Sequence, residues 1–296
     1  MAFSRERFWD LLKAEPQDAP IEVLREIESH DDYVVETLLL EVENGESIRG
    51  FITRPTDDTH RHPALLYMHS HGGKYEIGAD ELLQGHDYIG PLGPIFARAG
   101  YVTLVIEMPL FGTRANFSES ALSKALLWRG KVLMGQMLSE LSGALSYLAA
   151  RPDVDPARIG GFGMSMGCTH AFMLAALDDR IKAVAHLCCF ADYDVMIDLG
   201  AHDGHGHYMT IPGLLAETSV GEICGAIAPR RQLICIGSDD ALTPPAAVAR
   251  ARVETETAYS VAGHPEALTI FIEPGVKHQE TPAMREKVLA FFRENL

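Results

Sequence analysis

The chain has 296 residues, enough to bury a sizeable core, and its 47% hydrophobic and 22% charged residues are typical of one globular domain. This composition excludes a chain that is disordered for lack of apolar residues. A formal net charge of −16 produces a field that repels phosphate groups. Nucleic acid and anionic membrane surfaces are therefore not expected as partners.

The amino-terminal sequence MAFSRERFWDLLKAEPQ has no apolar core of signal-peptide length. No stretch approaches the roughly 18 apolar residues that span a bilayer. Cysteines occur mostly within apolar stretches and form no C-x-x-C pair, which is typical of buried thiols in a reducing compartment. They are Cys168, Cys188, Cys189, Cys224 and Cys235. We therefore expect a cytoplasmic protein.

In chain order, residues 1–30 predict an amphipathic helical arm with a Pro-containing connector, separate from a domain over 31–296. The segments YVVETLLLEV (33–42) and ESIRGFITRP (46–55) flank the turn Glu43-Asn44-Gly45 and predict a hairpin. Short apolar runs follow, of the kind that form strands buried on both faces. They are PALLYMH (63–69), YVTLVIE (101–107), RIGGFGMS (158–165), AVAHLCCF (183–190), RQLICIGS (231–238) and ALTIFIEP (267–274).

Stretches with helical periodicity lie between these runs, at roughly 119–150, 166–180, 244–259 and 280–295. An antiparallel start followed by alternating strands and helices predicts an α/β fold: a mostly parallel central sheet, an antiparallel N-terminal hairpin, and helices on both faces. The segment 191–217, rich in Asp, His and Gly, falls between two strands. It predicts a lid-like loop over the carboxyl edge of the sheet.

The strongest chemical signal is GMSMG (163–167), which ends an apolar strand and opens a helix. A serine on a sharp strand-to-helix turn needs small neighbours, because side chains there would collide with the adjacent backbone. Gly163 and Gly167 meet that need. Ser165 is therefore the predicted nucleophile.

A serine nucleophile needs a base, and His278 follows the last apolar run on a loop at the same edge of the sheet. The acid that orients this base should follow the preceding strand, where Asp239 and Asp240 are adjacent. We choose Asp240, because Asp239 is well placed to tie the turn. Asp192 or Asp194, after the run 183–190, are more distant alternatives.

Two backbone N–H groups should stabilise the oxyanion, one from Met166 and one from the loop HSHGG (69–73), where we choose His71. Gly72 would let the backbone approach the substrate, and Met164 and Met166 would give an adaptable apolar lining. Gly72 and Met164 are therefore predicted to line the substrate pocket.

The segment HDGHGH (202–207) contains three imidazoles and a carboxylate, which could suggest a metal site. The spacing does not fix one helical face, and a serine mechanism uses no metal. We therefore predict no metal and no cofactor, and expect His205 and His207 to shape the pocket.

These motifs resemble the α/β-hydrolase superfamily, and within it the branch that is similar to dienelactone hydrolases and acetyl xylan esterases. The similarity extends over about 30–296 and rests on HSHGGK (69–74), RIGGFGMSMG (158–167), APR (228–230), the Gly237–Pro244 segment and GVKH (275–278). Dienelactone hydrolases use a cysteine nucleophile, whereas this chain has Ser165, and Cys168 stands where a second glycine is common.

The resemblance implies hydrolysis of a small or medium carboxylic ester or lactone, through an acyl-enzyme on Ser165. Amide or peptide hydrolysis is an alternative, since the same residues cleave both bonds. A ligand-binding protein that has kept the fold and lost turnover is a second alternative. The expected partner is a small-molecule ester, and since such domains often pair, a homodimer is also expected.

Overall fold

The computed structural model describes residues 4–42, 45–57 and 59–296, and within them nine strands form one sheet. The strands are β1 Ile21–Ser29, β2 Val34–Glu41, β3 Ser47–Arg54, β4 His62–Met68, β5 Val102–Ile106, β6 Val154–Met164, β7 Ile181–Leu187, β8 Arg231–Gly237 and β9 Leu268–Glu273. Their spatial order is β1-β2-β3-β5-β4-β6-β7-β8-β9.

Helices connect and cover these strands. They are α1 Arg5–Leu12, α2 Glu81–Gln84, α3 Leu92–Arg98, α4 Glu119–Trp128, α5 Leu133–Ala150, α6 Met166–Leu177, α7 Tyr193–Asp198, α8 Leu214–Glu217, α9 Val220–Gly225, α10 Pro245–Val261 and α11 Pro282–Asn295. No helix in the described part of the chain is long and apolar enough to cross a membrane.

The sheet is covered on both faces, as predicted, because successive strand side chains point to opposite sides. On β4, Leu66 and Met68 belong to one apolar cluster, which includes side chains of α5 and α6. Leu65 and Tyr67 belong to a second cluster, with side chains of α3 and α11. The predicted α/β-hydrolase architecture is therefore confirmed.

All strand pairs from β5 through β9 in the spatial order are parallel, which brings their carboxyl ends to one edge. The strands β1, β2 and β3 pair antiparallel, and β3 also pairs antiparallel with β5. The predicted hairpin strands are thus present. Residues 43 and 44 of its predicted turn lie outside the described residues.

The amino-terminal region differs from the predicted helical arm. Helix α1 covers only Arg5–Leu12, and Ile21–Ser29 forms a strand that extends the sheet beside β2. All nine β1 residues are exposed. The strand therefore has no buried face, and an alternating apolar pattern is not required of its sequence. Its backbone is ordered by hydrogen bonding to β2 instead.

The segment predicted as a lid-like loop, residues 191–217, contains α7, α8 and two short 3₁₀ turns. It lies between β7 and β8. We call it the lid segment below.

All five cysteines are buried and free. Burial raises the pKa of the Cys189 thiol to about 11. Such thiols are protonated at neutral pH and behave as small apolar side chains.

Candidate active site

Ser165 lies on the turn between β6 and α6 with φ 57° and ψ −120°, a strained conformation for a residue with a side chain. A Cβ on Gly163 would lie 2.1 Å from the carbonyl oxygen of Gly167, at the start of α6. A Cβ on Gly167 would lie 1.9 Å from the carbonyl oxygen of Met68, at the end of β4. The turn therefore requires glycine at both positions, for the steric reason predicted from the sequence.

His278 lies beside Ser165 on the loop after β9. Its Nε2 is 2.9 Å from Ser165 Oγ, and its Nδ1 is 2.7 Å from Oδ2 of Asp240. Since a carboxylate only accepts, Nδ1 carries the proton, and Nε2 accepts the hydroxyl hydrogen of Ser165. The three side chains form a continuous hydrogen-bonded chain from a buried carboxylate to an activated hydroxyl.

The structure places Asp240, and none of the alternative acids, against His278. The other oxygen of Asp240, Oδ1, accepts the backbone N–H of Leu242 at 2.9 Å, which fixes the carboxylate. Asp239 is exposed and accepts a hydrogen bond from Ser238 Oγ at 2.7 Å. Asp192 caps α7 by accepting the N–H of Val195 at 3.0 Å, and Asp194 lies in the first turn of that helix.

Two residues were predicted to supply the oxyanion donors. His71 lies in the loop after β4, and Met166 follows Ser165 at the start of α6. Within the described chain, the backbone N–H groups of His71 and Met166 donate to no protein acceptor. The side chain of His71 is fixed independently, because its Nδ1 accepts from Gly73 N–H at 3.1 Å. Both backbone donors are thus free for a substrate oxygen.

Ser165 and His278 open into a pocket of about 440 Å³, a volume in the range of small-molecule sites. We call it the catalytic pocket. Its lining consists of His71, Gly72, Gly73, Tyr88, Ser165, Gly204, His205, Gly206, Tyr208, Leu242 and His278. Two of the predicted lining residues, Gly72 and His205, belong to this lining, together with His71, which was predicted as an oxyanion donor.

Two predicted lining residues lie elsewhere. Met164 is the last residue of β6, and its side chain is fully buried in the core cluster beneath α3 and α11. Strand alternation directs it away from the pocket. His207 is exposed and lines a neighbouring pocket in the lid segment.

Tyr88 was missed from the sequence, because a single tyrosine in a loop carries no motif. Its hydroxyl donates to Ser70 Oγ at 2.8 Å, and its ring meets the His278 ring edge-on at 5.6 Å. A Cβ on Gly72 would lie 2.5 Å from the Tyr88 hydroxyl. Tyr88 therefore holds the loop after β4 and the imidazole of His278 in one arrangement.

Glu81 stands behind Tyr88 and is fully enclosed by protein. Its carboxyl accepts hydrogen bonds from the N–H and hydroxyl of Ser70 and, at 2.9 Å, from the hydroxyl of Tyr67. Burial raises the pKa of Glu81 to about 7, and these hydrogen bonds only partly oppose the rise. A hydrogen-bonded path thus runs from the pocket through Tyr88 and Ser70 to a buried carboxyl group.

Glu119, on α4, ties the lid segment to the loop after β4. It accepts the N–H of Tyr208 at 2.9 Å, the Tyr75 hydroxyl at 3.3 Å and His71 Nε2–H at 3.4 Å. Burial alone raises the pKa of Glu119, but the hydrogen bonds from His71 and Tyr208 hold the net pKa below its ordinary value. Its charge is therefore retained at neutral pH.

The histidine-rich run does not converge on a metal-binding centre. Across the described residues, no three ligand atoms from His202, Asp203, His205 and His207 lie within 4.8 Å of one another. Nε2 of His205 is engaged instead with the carbonyl oxygen of Leu242 at 2.9 Å.

Known proteins are similar to this chain in sequence. The family model "Dienelactone hydrolase family" matches residues 83–190, a range that includes Ser165. A relative from Bacillus subtilis (strain 168), named "Putative hydrolase YtaP", is 37% identical over 296 residues, which cover 98% of each chain. The chain belongs to the dienelactone hydrolase family. It is a hydrolase of that family with serine, rather than cysteine, on the strained turn.

Solved structures show the same fold. An acetyl xylan esterase from a Paenibacillus species superposes with a TM-score of 0.69 at 19% identity, covering 98% of this chain and 94% of that one. Acetyl Xylan Esterase 1 from a Thermoanaerobacterium species has a TM-score of 0.68 at 17% identity, covering 99% and 94%. At these identities the similarity establishes the α/β-hydrolase fold.

Proposed function

We propose that this family member hydrolyses carboxylic esters with small or medium acyl groups, or lactones, through an acyl-enzyme on Ser165. One observation supports this most strongly. His278 lies 2.9 Å from the Ser165 hydroxyl on one side and 2.7 Å from a buried carboxylate on the other. The names of the two acetyl xylan esterases of the same fold also favour an acyl ester.

In this mechanism His278 Nε2 takes the proton from Ser165 Oγ as the oxygen attacks the ester carbonyl. The backbone N–H groups of His71 and Met166 bind the oxyanion of the tetrahedral intermediate. His278 then protonates the leaving alcohol, and the acyl group stays on Ser165. Water, deprotonated by His278, attacks this acyl-enzyme and releases the acid.

The test measures labelling by a fluorophosphonate and turnover of p-nitrophenyl acetate in wild type, Ser165→Ala and Ser260→Ala. Ser260 is an exposed serine on α10, so its variant controls for the substitution itself. We expect Ser165→Ala to lose the label and at least ~10³-fold in kcat, and Ser260→Ala to match wild type. An unlabelled and inactive wild type that still binds esters would favour the binding-protein alternative.

Amide hydrolysis is separated from ester hydrolysis by a pair of substrates with one acyl group. We expect p-nitrophenyl acetate to be cleaved and p-nitroacetanilide to be left intact under the same conditions. A higher kcat/KM on the anilide would assign the chain to amide hydrolysis instead.

A further inference from the structure

A second pocket, of about 350 Å³, lies wholly within the lid segment. All of its lining residues fall between Tyr193 and Leu215, and we call it the lid pocket. The side chains of Tyr193, Met196, Ile211 and Leu214 are buried and apolar or aromatic. Four lining residues can be charged near neutral pH, and they are His202, Asp203, His205 and His207. The pocket is therefore suited to an apolar group.

The lid pocket adjoins the catalytic pocket. His205 and Gly206 line both, so a single strip of chain separates the two spaces. A Cβ on Gly206 would lie 2.7 Å from Glu119 Oε1 and 2.8 Å from the Tyr208 ring. Position 206 therefore requires glycine. The lid pocket is the space next to the catalytic pocket on the side of His205 and Gly206.

Apolar surface continues from the lid pocket to solvent. Ile197 and Leu215 line it and are 48% and 39% exposed, although large apolar side chains are more often covered. Met196 and Met209 add flexible side chains that adapt to ligands of different shape. These features favour an alkyl or arylalkyl chain over a sugar or a charged group.

We propose that the lid pocket binds the apolar chain of the substrate, so that the preferred esters carry an alkyl or arylalkyl chain longer than acetyl. This inference rests on the proposed function. Burying a methylene group favours binding by about fourfold in an equilibrium constant. Each carbon that enters the lid pocket should therefore raise kcat/KM by up to about that factor until the pocket is full.

The test compares kcat/KM on p-nitrophenyl acetate, butyrate, hexanoate and octanoate in wild type, Ile197→Trp and Leu199→Trp. Ile197 lines the lid pocket, whereas Leu199 is 57% exposed in the same segment and does not line it. We expect the octanoate-to-acetate ratio to fall at least about tenfold in Ile197→Trp and to stay at the wild-type value in Leu199→Trp. Leu215→Trp, at a second lining position, should repeat the fall.

A parallel series of alkyl acetates distinguishes the source of the chain. If the chain belongs to the alcohol, Ile197→Trp should lower kcat/KM for long alkyl acetates relative to short ones. The octanoate-to-acetate ratio of the p-nitrophenyl esters should then be unchanged. A wild type that prefers the shortest ester in both series would overturn the lid-pocket proposal alone, and so would long-to-short ratios that are equal in Ile197→Trp and Leu199→Trp in both series. Failure of Ser165-dependent acetate turnover would instead overturn the proposed function.

Discussion

At the scale of single residues, the strain at Ser165 has an identifiable support. Holding a non-glycine residue in such a conformation costs on the order of 1–3 kcal/mol. The N–H of Ser165 donates to the carbonyl oxygen of Leu187 at 2.9 Å, and its carbonyl oxygen accepts the N–H groups of Cys168 and Thr169 in the first turn of α6. Strand β7 and helix α6 therefore hold the hydroxyl at the carboxyl edge of the sheet.

Asp240 and Asp239 provide a matched pair for testing the orienting acid. Replacing Asp240 by Asn removes the charge that fixes the tautomer of His278 and stabilises its cation. We expect Asp240→Asn to lower kcat on p-nitrophenyl acetate by on the order of 10⁴. Asp239→Asn should stay within about twofold of wild type, because Asp239 is exposed and contacts Ser238. The opposite ranking would move the role to Asp239.

The residues found from sequence share one property. Ser165, Asp240 and His278 follow three strands of the parallel part of the sheet, β6, β8 and β9, and the carboxyl ends of parallel strands lie at one edge. Tyr88 lies in a loop and Glu119 on a helix, and no comparable rule of topology places their side chains at the site. Their positions depend on side-chain packing between distant segments, which no local pattern encodes.

At the scale of elements, Glu81 on α2 accepts hydrogen bonds from Ser70 in the loop after β4, and its titration is coupled to the stability of the fold. Burial raises the pKa of Glu81 from an ordinary 4.5 to about 7. Between these values the folded protein keeps a proton that the unfolded chain has lost. Raising the pH through this window therefore destabilises the fold through Glu81, and the loss is complete above about pH 7.

Glu81→Gln should remove this pH dependence, because its amide can accept from Ser70 and Tyr67 without titrating. Urea unfolding at pH 5, 6, 7 and 8 would give the free energy of unfolding of both proteins. We expect the wild-type value to fall relative to the variant, with a slope of at most about 1.4 kcal/mol for each pH unit up to pH 7. Parallel pH profiles would show that Glu81 is already ionised at pH 5.

At the scale of the whole molecule, the sheet and its covering helices followed from the sequence, because buried runs and helical periods leave strong patterns. Strand β1 did not, because all of its side chains are exposed and its order comes from pairing with β2. The length of α1 was also overestimated. The end of that helix is set by Lys13, whose left-handed conformation closes the last turn.

Helix α1 is nevertheless part of the molecule's main core. Phe8 is 1% exposed and Leu12 is fully buried, both in the cluster that contains α5 and α6. Arg7 also donates to Glu217 of the lid segment at 2.6 Å. The amino-terminal helix thus connects the central core to the segment that covers the active-site edge.

Phe8→Ala should therefore cost about 3–5 kcal/mol of unfolding free energy, as expected for truncating a buried aromatic side chain. Ile21→Ala is the control from the same region, since Ile21 is 69% exposed on β1 and its loss should cost less than about 0.5 kcal/mol. Urea unfolding followed by circular dichroism measures both. Equal free energies of unfolding of the two variants would mean that α1 is a peripheral arm. A much lower free energy of unfolding for Phe8→Ala would mean that α1 unfolds in the same cooperative unit as the sheet that carries Ser165.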